Sequence, residues 1–258
     1  LAGRWLPGQA NPWPDRNNAS AGDLCLAWAL VRAAAQFQQH AYLRRATEIA
    51  EALAASCIKP MPGASGKLVF LPAAFGFVHE AHVTLNPSYY MPLAMRELAA
   101  ATGVTALAAC AQHGQEMLDV IAGTGLVPDW VDVSARGIAP SATLSANAGY
   151  EAIRVPLFLV WSRMGQHMAV RRMAAVYERA LQPGESAPTV IEPISGVVLE
   201  TSADPGYQAL AGVILCAGQT SLGAPIPPFT PNQRYYPATL QLFAMFAATD
   251  TLPECVPL

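Results

Sequence analysis

Charge is what this sequence has least of. Only 13% of its 258 residues are Asp, Glu, Lys or Arg, and the formal net charge is -3. No run of Lys or Arg is available to follow a phosphate backbone, which excludes nucleic acid as a partner. Long hydrophobic runs are missing as well. The apolar stretches are interrupted by Asp23 and Arg32, or by Arg154 and Arg163, well short of a membrane span. The five cysteines (25, 57, 110, 216 and 255) contain no CxxC pair, and their odd number leaves at least one free thiol in a monomer. Cys25, Cys110 and Cys216 lie in apolar helical text and read as buried small hydrophobes, so cysteine usage leaves the compartment open. There is no initiator Met and no charged leader with an apolar core, and a start at Leu1 is what a processed or trimmed chain has.

Rival catalytic motifs fail on spacing. His79-Glu-Ala-His82 is one residue short of the zinc-protease pattern, and its histidines would not share a helix face. Gly63-Ala-Ser-Gly-Lys67 lacks the length and the hydroxyl residue of a phosphate loop, and no G-x-S-x-G elbow is present. No metal and no cofactor are expected.

What is present is helical text. With 53% apolar residues and so little charge, the helices must bury much of their surface against one another. Residues 1–21 are rich in Pro, Gly and Asn and read as an extended segment carrying Trp5 and Trp13. Helices are expected at 22–38, 42–56, 88–101, 104–122, 147–164, 168–182, 207–218 and 235–248. Loops fall at 57–86, with a short strand or hairpin around 67–71, at 123–146, and at 183–206, with a strand at 196–200. The last two helices are joined by Ala224-Pro-Ile-Pro-Pro228. Eight helices in antiparallel hairpins, with long loops at alternate junctions, suit an all-α toroid forming one domain over residues 1–258.

The stretch from Asn18 to Phe37 opens with the cap-type residues Asn18 and Ser20 and continues with Ala27, Leu30, Val31, Ala34 and Phe37 at helical spacing. Cys25, Trp28 and Ala29 fill the other face, so this helix is expected to be buried nearly all round. Asp23 sits in its first turn, where the helix dipole favours a negative charge. The stretch resembles the signature of glycoside hydrolase family 8, the bacterial endoglucanases. Ala19, Ser20, Gly22, Asp23, Ala27, Ala29, Leu30, Ala33 and Phe37 fit that signature, while Ala21 stands where the family has its first aspartate. Three further blocks follow in family order: Leu85-Asn-Pro-Ser-Tyr-Tyr90, Pro128-Asp-Trp130 and Gly149-Tyr-Glu-Ala-Ile-Arg-Val155. Tyr235-Tyr236 and the apolar text after it match the family's last helix. Within the family, the resemblance is nearest to the cellulase of the bacterial cellulose synthase operon.

The resemblance implies an (α/α)6 barrel of helical hairpins, incomplete at its N-terminus because the family's opening helices lie upstream of the segment around Trp5. It implies β-1,4-glucan or cello-oligosaccharide as partner, association with a cellulose synthase complex, and a periplasmic or secreted location. Inverting hydrolysis needs an acid for the leaving oxygen and a base for water on the opposite sugar face. The family's acid lies in a Ser-Glu-Gly-Gln segment that this sequence does not contain. The base position, usually Asp, is Glu151, one methylene (roughly 1.5 Å) longer. Asp23, Tyr89, Trp130 and Arg154 are the residues expected to bind substrate, Arg154 by orienting a carboxylate and Trp130 by stacking on glucose. Bland roles are also open: Asp23 at a helix start, Glu151 as a first-turn helix carboxylate, and Tyr89 and Trp130 in packing. Two functional readings follow. One is an inverting endo-β-1,4-glucanase, impaired in this chain by Ala21, Glu151 and the missing acid; the other is a non-catalytic glucan-binding accessory protein.

Overall fold

Prolines decide where several of the helices begin. The computed structural model describes residues 2–181, 185–218 and 226–255, and its contacts divide the chain into two compact units. The first unit comprises Leu1–Gln115 and Val131–Ser141, and the second Glu116–Trp130 and Ala142–Leu258. Helices α1 (Ser20–Phe37), α2 (His40–Cys57) and α3 (Pro92–Thr102) pack on one another in the first unit, and α4 (Thr105–Thr124) contributes its opening turns there. The second unit holds the rest of α4 with α5 (Arg154–Trp161), α6 (Met168–Ala180), α7 (Pro205–Gly218) and α8 (Tyr235–Thr251). Residue 182 of the expected sixth helix, Ala224-Pro225 of the proline-rich link and Leu1 lie outside the described residues.

Eight α-helices among the described residues meet the expectation of an all-α chain, but two start later than expected. The text from 88 yields a 3-10 turn at Pro87–Tyr89 and then α3, with Pro92 at its first position. The text from 147 yields a turn, and α5 begins only at Arg154. Pro156 explains the second case. It has no N–H to donate back to residue 152, so it fits the first turn of a helix and not the interior of one running from 147.

Short antiparallel strands frame the loops. In the first unit β1 (Ala2–Arg4) pairs with β2 (Asp15–Asn18), and β3 (Ile58–Pro60) with β4 (Leu68–Phe70), the hairpin expected around 67–71. A three-stranded sheet of β5 (His82–Leu85), β6 (Val131–Ser134) and β7 (Gly137–Pro140) was not expected; its strands are only four residues each and sit in text rich in turn residues. In the second unit β8 (Ala187–Ile191) pairs with β9 (Val198–Ser202), which overlaps the expected strand at 196–200.

Two expectations are corrected. Helix α1 is not buried all round. Leu24, Ala27 and Trp28 are buried, while Leu26 is 37% and Phe37 65% exposed. Its inner face is tied to α3 through Glu97, which accepts from the Trp28 indole at 2.5 Å and from both the Nε and Nη2 of Arg32 at 3.0 Å. Cys216 is not a free buried thiol either. It is bonded to Cys255 beyond the end of α8, whereas Cys25, Cys57 and Cys110 are not disulfide-bonded. Alkylating the denatured, unreduced chain is expected to label three thiols, and all five after reduction, as read by intact mass; five labels without reduction would exclude the bond.

Candidate active-site residues

In the first unit, the start of α1 is held from outside rather than by a side-chain cap. Ala19 occupies the N-cap position without a side-chain bond, and the Ser20 hydroxyl instead donates to the carbonyls of Leu71 and Pro72 at 2.7 and 2.9 Å. Asn18 donates its amide to an Asp23 carboxylate oxygen at 2.9 Å while its own oxygen accepts the Ala74 N–H at 2.8 Å. Asp23 is thereby fixed in the first turn of α1 and is 7% exposed. It lines a cleft of about 330 Å³ with Arg16, Asn18, Arg45, Glu48 and Phe75 among its walls. The neighbouring Ala21 offers this helix start no hydrogen-bond acceptor on its side chain.

Tyr89 ends the 3-10 turn that follows β5 and is half-buried. The turn is shaped by Asn86, fully buried, whose side-chain oxygen accepts from the Ser88 N–H at 3.0 Å and the Ser88 hydroxyl at 2.7 Å. The tyrosine with the core role is the next one. Tyr90 is 1% exposed and its hydroxyl accepts the Phe70 N–H at 2.8 Å, while burial pushes its own ionisation far up.

In the second unit Trp130 is half-buried, and its backbone N–H donates to the Ser145 carbonyl at 3.2 Å. Glu151 sits in the turn ahead of α5, not in the helix, with its side chain 34% exposed. Arg154, the first residue of α5, donates to the Glu151 carboxylate and, at 3.4 Å, to the Glu151 carbonyl. The two side chains, three residues apart, are paired at one helix mouth.

Several neighbours of Glu151 lie in the blocks quoted from the sequence, Asp129, Tyr150 and Tyr236 among them, but none of them is expected there as a site residue. Asp129, 6% exposed, accepts from the backbone N–H groups of Gly149, Glu151 and Ala152 and from the Ser145 hydroxyl. The available clue was the glycine before Tyr150: a Cβ on Gly149 would lie 2.7 Å from an Asp129 oxygen. Tyr236 donates its hydroxyl to the Tyr150 carbonyl, and the Tyr150 hydroxyl donates to Glu200 at 2.9 Å. Tyr207 has ring contacts with both tyrosines, at 6.1 Å to Tyr150 and 6.3 Å to Tyr236. Burial raises the Tyr236 hydroxyl well above the usual phenol range. The Arg154 charge opposes that rise, and Glu151, Tyr207 and Asp129 add to it. Tyr207 is pushed up to about 12, chiefly by burial and then by Tyr150 and Asp204, against Arg234. Among the described residues no cluster of three or more His, Cys, Asp or Glu could hold a metal ion. No helix there is long and apolar enough to cross a membrane.

The family model of glycosyl hydrolases family 8 matches residues 1–250. A probable endoglucanase of Novacetimonas hansenii is 31% identical over 96% of this chain and 71% of that protein. An endoglucanase of Cellulomonas uda is 35% identical over 61% of this chain, the match spanning 44% of that protein. Among solved structures, the endo-beta-1,4-glucanase of Acetobacter xylinum superposes with a TM-score of 0.84 at 26% identity, covering 96% of this chain and 76% of that one.

Proposed function

The chain belongs to glycosyl hydrolases family 8, and from that premise we propose that residues 1–258 form one β-1,4-glucan-hydrolysing domain of the inverting endo type. Glu151 is its base. The observation that carries this reading is the Glu151 turn, in which a half-exposed carboxylate is gripped through its own backbone and oriented by Arg154. Water reaches such a group while its position stays fixed, which is what general-base attack on the far side of a sugar requires. Asp23 accepts a sugar hydroxyl, Tyr89 donates one hydrogen bond, and Trp130 offers an indole face to a glucose ring. The aspartate that the family signature places at residue 21 is Ala here, and no segment of the sequence resembles that of the family's acid. The replacement at Ala21 favours the second reading, a glucan-binding accessory protein.

The Cys216–Cys255 bond supports a periplasmic or secreted location, because such bonds persist in oxidising compartments. A place beside a cellulose synthase complex rests on the sequence resemblance alone. The test of the glucan reading is calorimetric titration of cellohexaose. Trp130→Ala is expected to weaken binding by about tenfold, a loss of roughly 1.4 kcal/mol. Tyr89→Phe loses a single hydrogen bond, worth about 0.5–1.5 kcal/mol. Added salt is expected to change little, since the ligand is neutral. Unchanged affinity in both variants would reject the assignment of these residues to glucan binding.

A further inference from the structure

Resting on the reading of Glu151 as the base, we propose that Asp129 is the residue that positions it, by serving as the acceptor around which the Gly149–Ala152 turn is wound. One carboxylate oxygen of Asp129 takes three backbone N–H groups, from Gly149 at 3.0 Å, Glu151 at 3.1 Å and Ala152 at 2.8 Å. The other takes the Ser145 hydroxyl at 2.7 Å. The three backbone bonds converge on the peptide units on either side of the base. The segment bearing Asp129 is itself anchored, since the Asp129 N–H donates to the Asn147 carbonyl at 2.8 Å.

The grip is two-sided. Asp129 holds the N–H groups of the turn, and Tyr236 holds the carbonyl of Tyr150 from α8. The approach also needs Gly149, where any side chain would meet Asp129 at 2.7 Å. Such an arrangement answers a particular problem of this chain. Glu151 has one more rotatable bond than the aspartate its resemblance leads one to expect, so its backbone must be the fixed end. A misplacement of about 1 Å in a reacting group can lower a rate on the order of 100-fold. Asp129 touches neither water nor sugar in this scheme and acts through Glu151.

Three variants separate holding from charge. In Asp129→Asn the amide oxygen still accepts the three N–H groups and the amide N–H donates to the Ser145 hydroxyl, so the turn is kept and the charge is lost. Asp129→Ala removes the acceptor, and Ser145→Ala removes a single bond while leaving the carboxylate. Each is read by amide hydrogen exchange at Gly149, Glu151 and Ala152, by circular dichroism for overall folding, and by kcat and KM on end-labelled cellohexaose followed over days. Asp129→Ala is expected to speed exchange at the three amides at least tenfold and to lower kcat about 10- to 100-fold with KM within twofold. Asp129→Asn is expected to stay within about threefold of the parent on both measures, and Ser145→Ala to lie between them. Faster exchange with unchanged kcat would make Asp129 merely structural and overturn the proposal. So would an Asp129→Asn form as slow as Asp129→Ala, because charge and not placement would then be at work. Should Asp129→Ala fail to fold, Ser145→Ala decides, and no change in exchange or kcat there sinks the idea. Glu151→Gln in parallel isolates the underlying reading: if it retains the full rate, Glu151 is not the base, whatever the exchange data say of Asp129.

Discussion

On carboxymethyl cellulose the 258-residue chain is expected to release reducing ends at a trace rate, Glu151→Gln to abolish what remains, and Glu151→Asp to raise it. A glycosidic oxygen leaves poorly unless protonated, and general-acid help is commonly worth roughly 100- to 10,000-fold. No Ser-Glu-Gly-Gln segment occurs in this sequence to supply it. Ala21 cannot accept the hydroxyl hydrogen bonds that hold a distorted sugar, and the Glu151 carboxylate stands a methylene beyond the usual position. These deficits act on one transition state and need not add, yet none relieves another. The decisive comparison is the three forms side by side. An unmodified chain working at a rate typical of enzymes, unaffected by Glu151→Gln, would overturn both the base and the impairment. A gain in Glu151→Asp would show that the surroundings remain fit for an aspartate.

The second large effect is structural. Gly206→Ala is expected to lower the melting temperature by up to about 8 °C, read by differential scanning calorimetry. Gly206 lies in the first turn of α7, and a Cβ there would overlap the Pro237 carbonyl oxygen and carbon of α8. Neither is the loose end of a side chain, so the two helix backbones must part. Such overpacking typically costs about 1–3 kcal/mol, and a chain of this size loses roughly 2–4 °C per kcal/mol. Intrinsic propensity argues the other way, since Ala exceeds Gly in a helix by about 1 kcal/mol. The signs are opposed, so a raised melting temperature would show that α7 and α8 are not in this contact.

The helices were legible because their signal is periodic and repeated over many turns. Most of their starts were legible to within about two residues; the two that were not, those of α3 and α5, carry a proline in plain view, Pro92 and Pro156, at or just inside the true beginning. Strands β5 to β7 were not legible, since four residues give too little alternation to stand out among Gly, Ser and Asp. The site divides in the same way. Asp23, Tyr89, Trp130, Glu151 and Arg154 were named from blocks contiguous in sequence, and Arg154 meets Glu151 only three residues away. Asp129 meets its turn across some 20 residues, and Tyr236 reaches Tyr150 across 86. Nothing local in either residue announces such a partner. The bond between Cys216 and Cys255 was hidden for the same reason, because apolar helical text around Cys216 looks identical whether the thiol is free or joined.

That bond also acts on the chain when it is not folded. It ties residues separated by 39 positions, and the loop it closes contains the whole of α8. In the chain-entropy view, closing a loop of this length removes about 4 kcal/mol worth of disorder from the denatured ensemble. Domains are commonly stable by about 5–15 kcal/mol in all, so the tether is a large fraction of the total. The last helix thus never drifts far from α7, and the unfolded protein searches a smaller space on its way back.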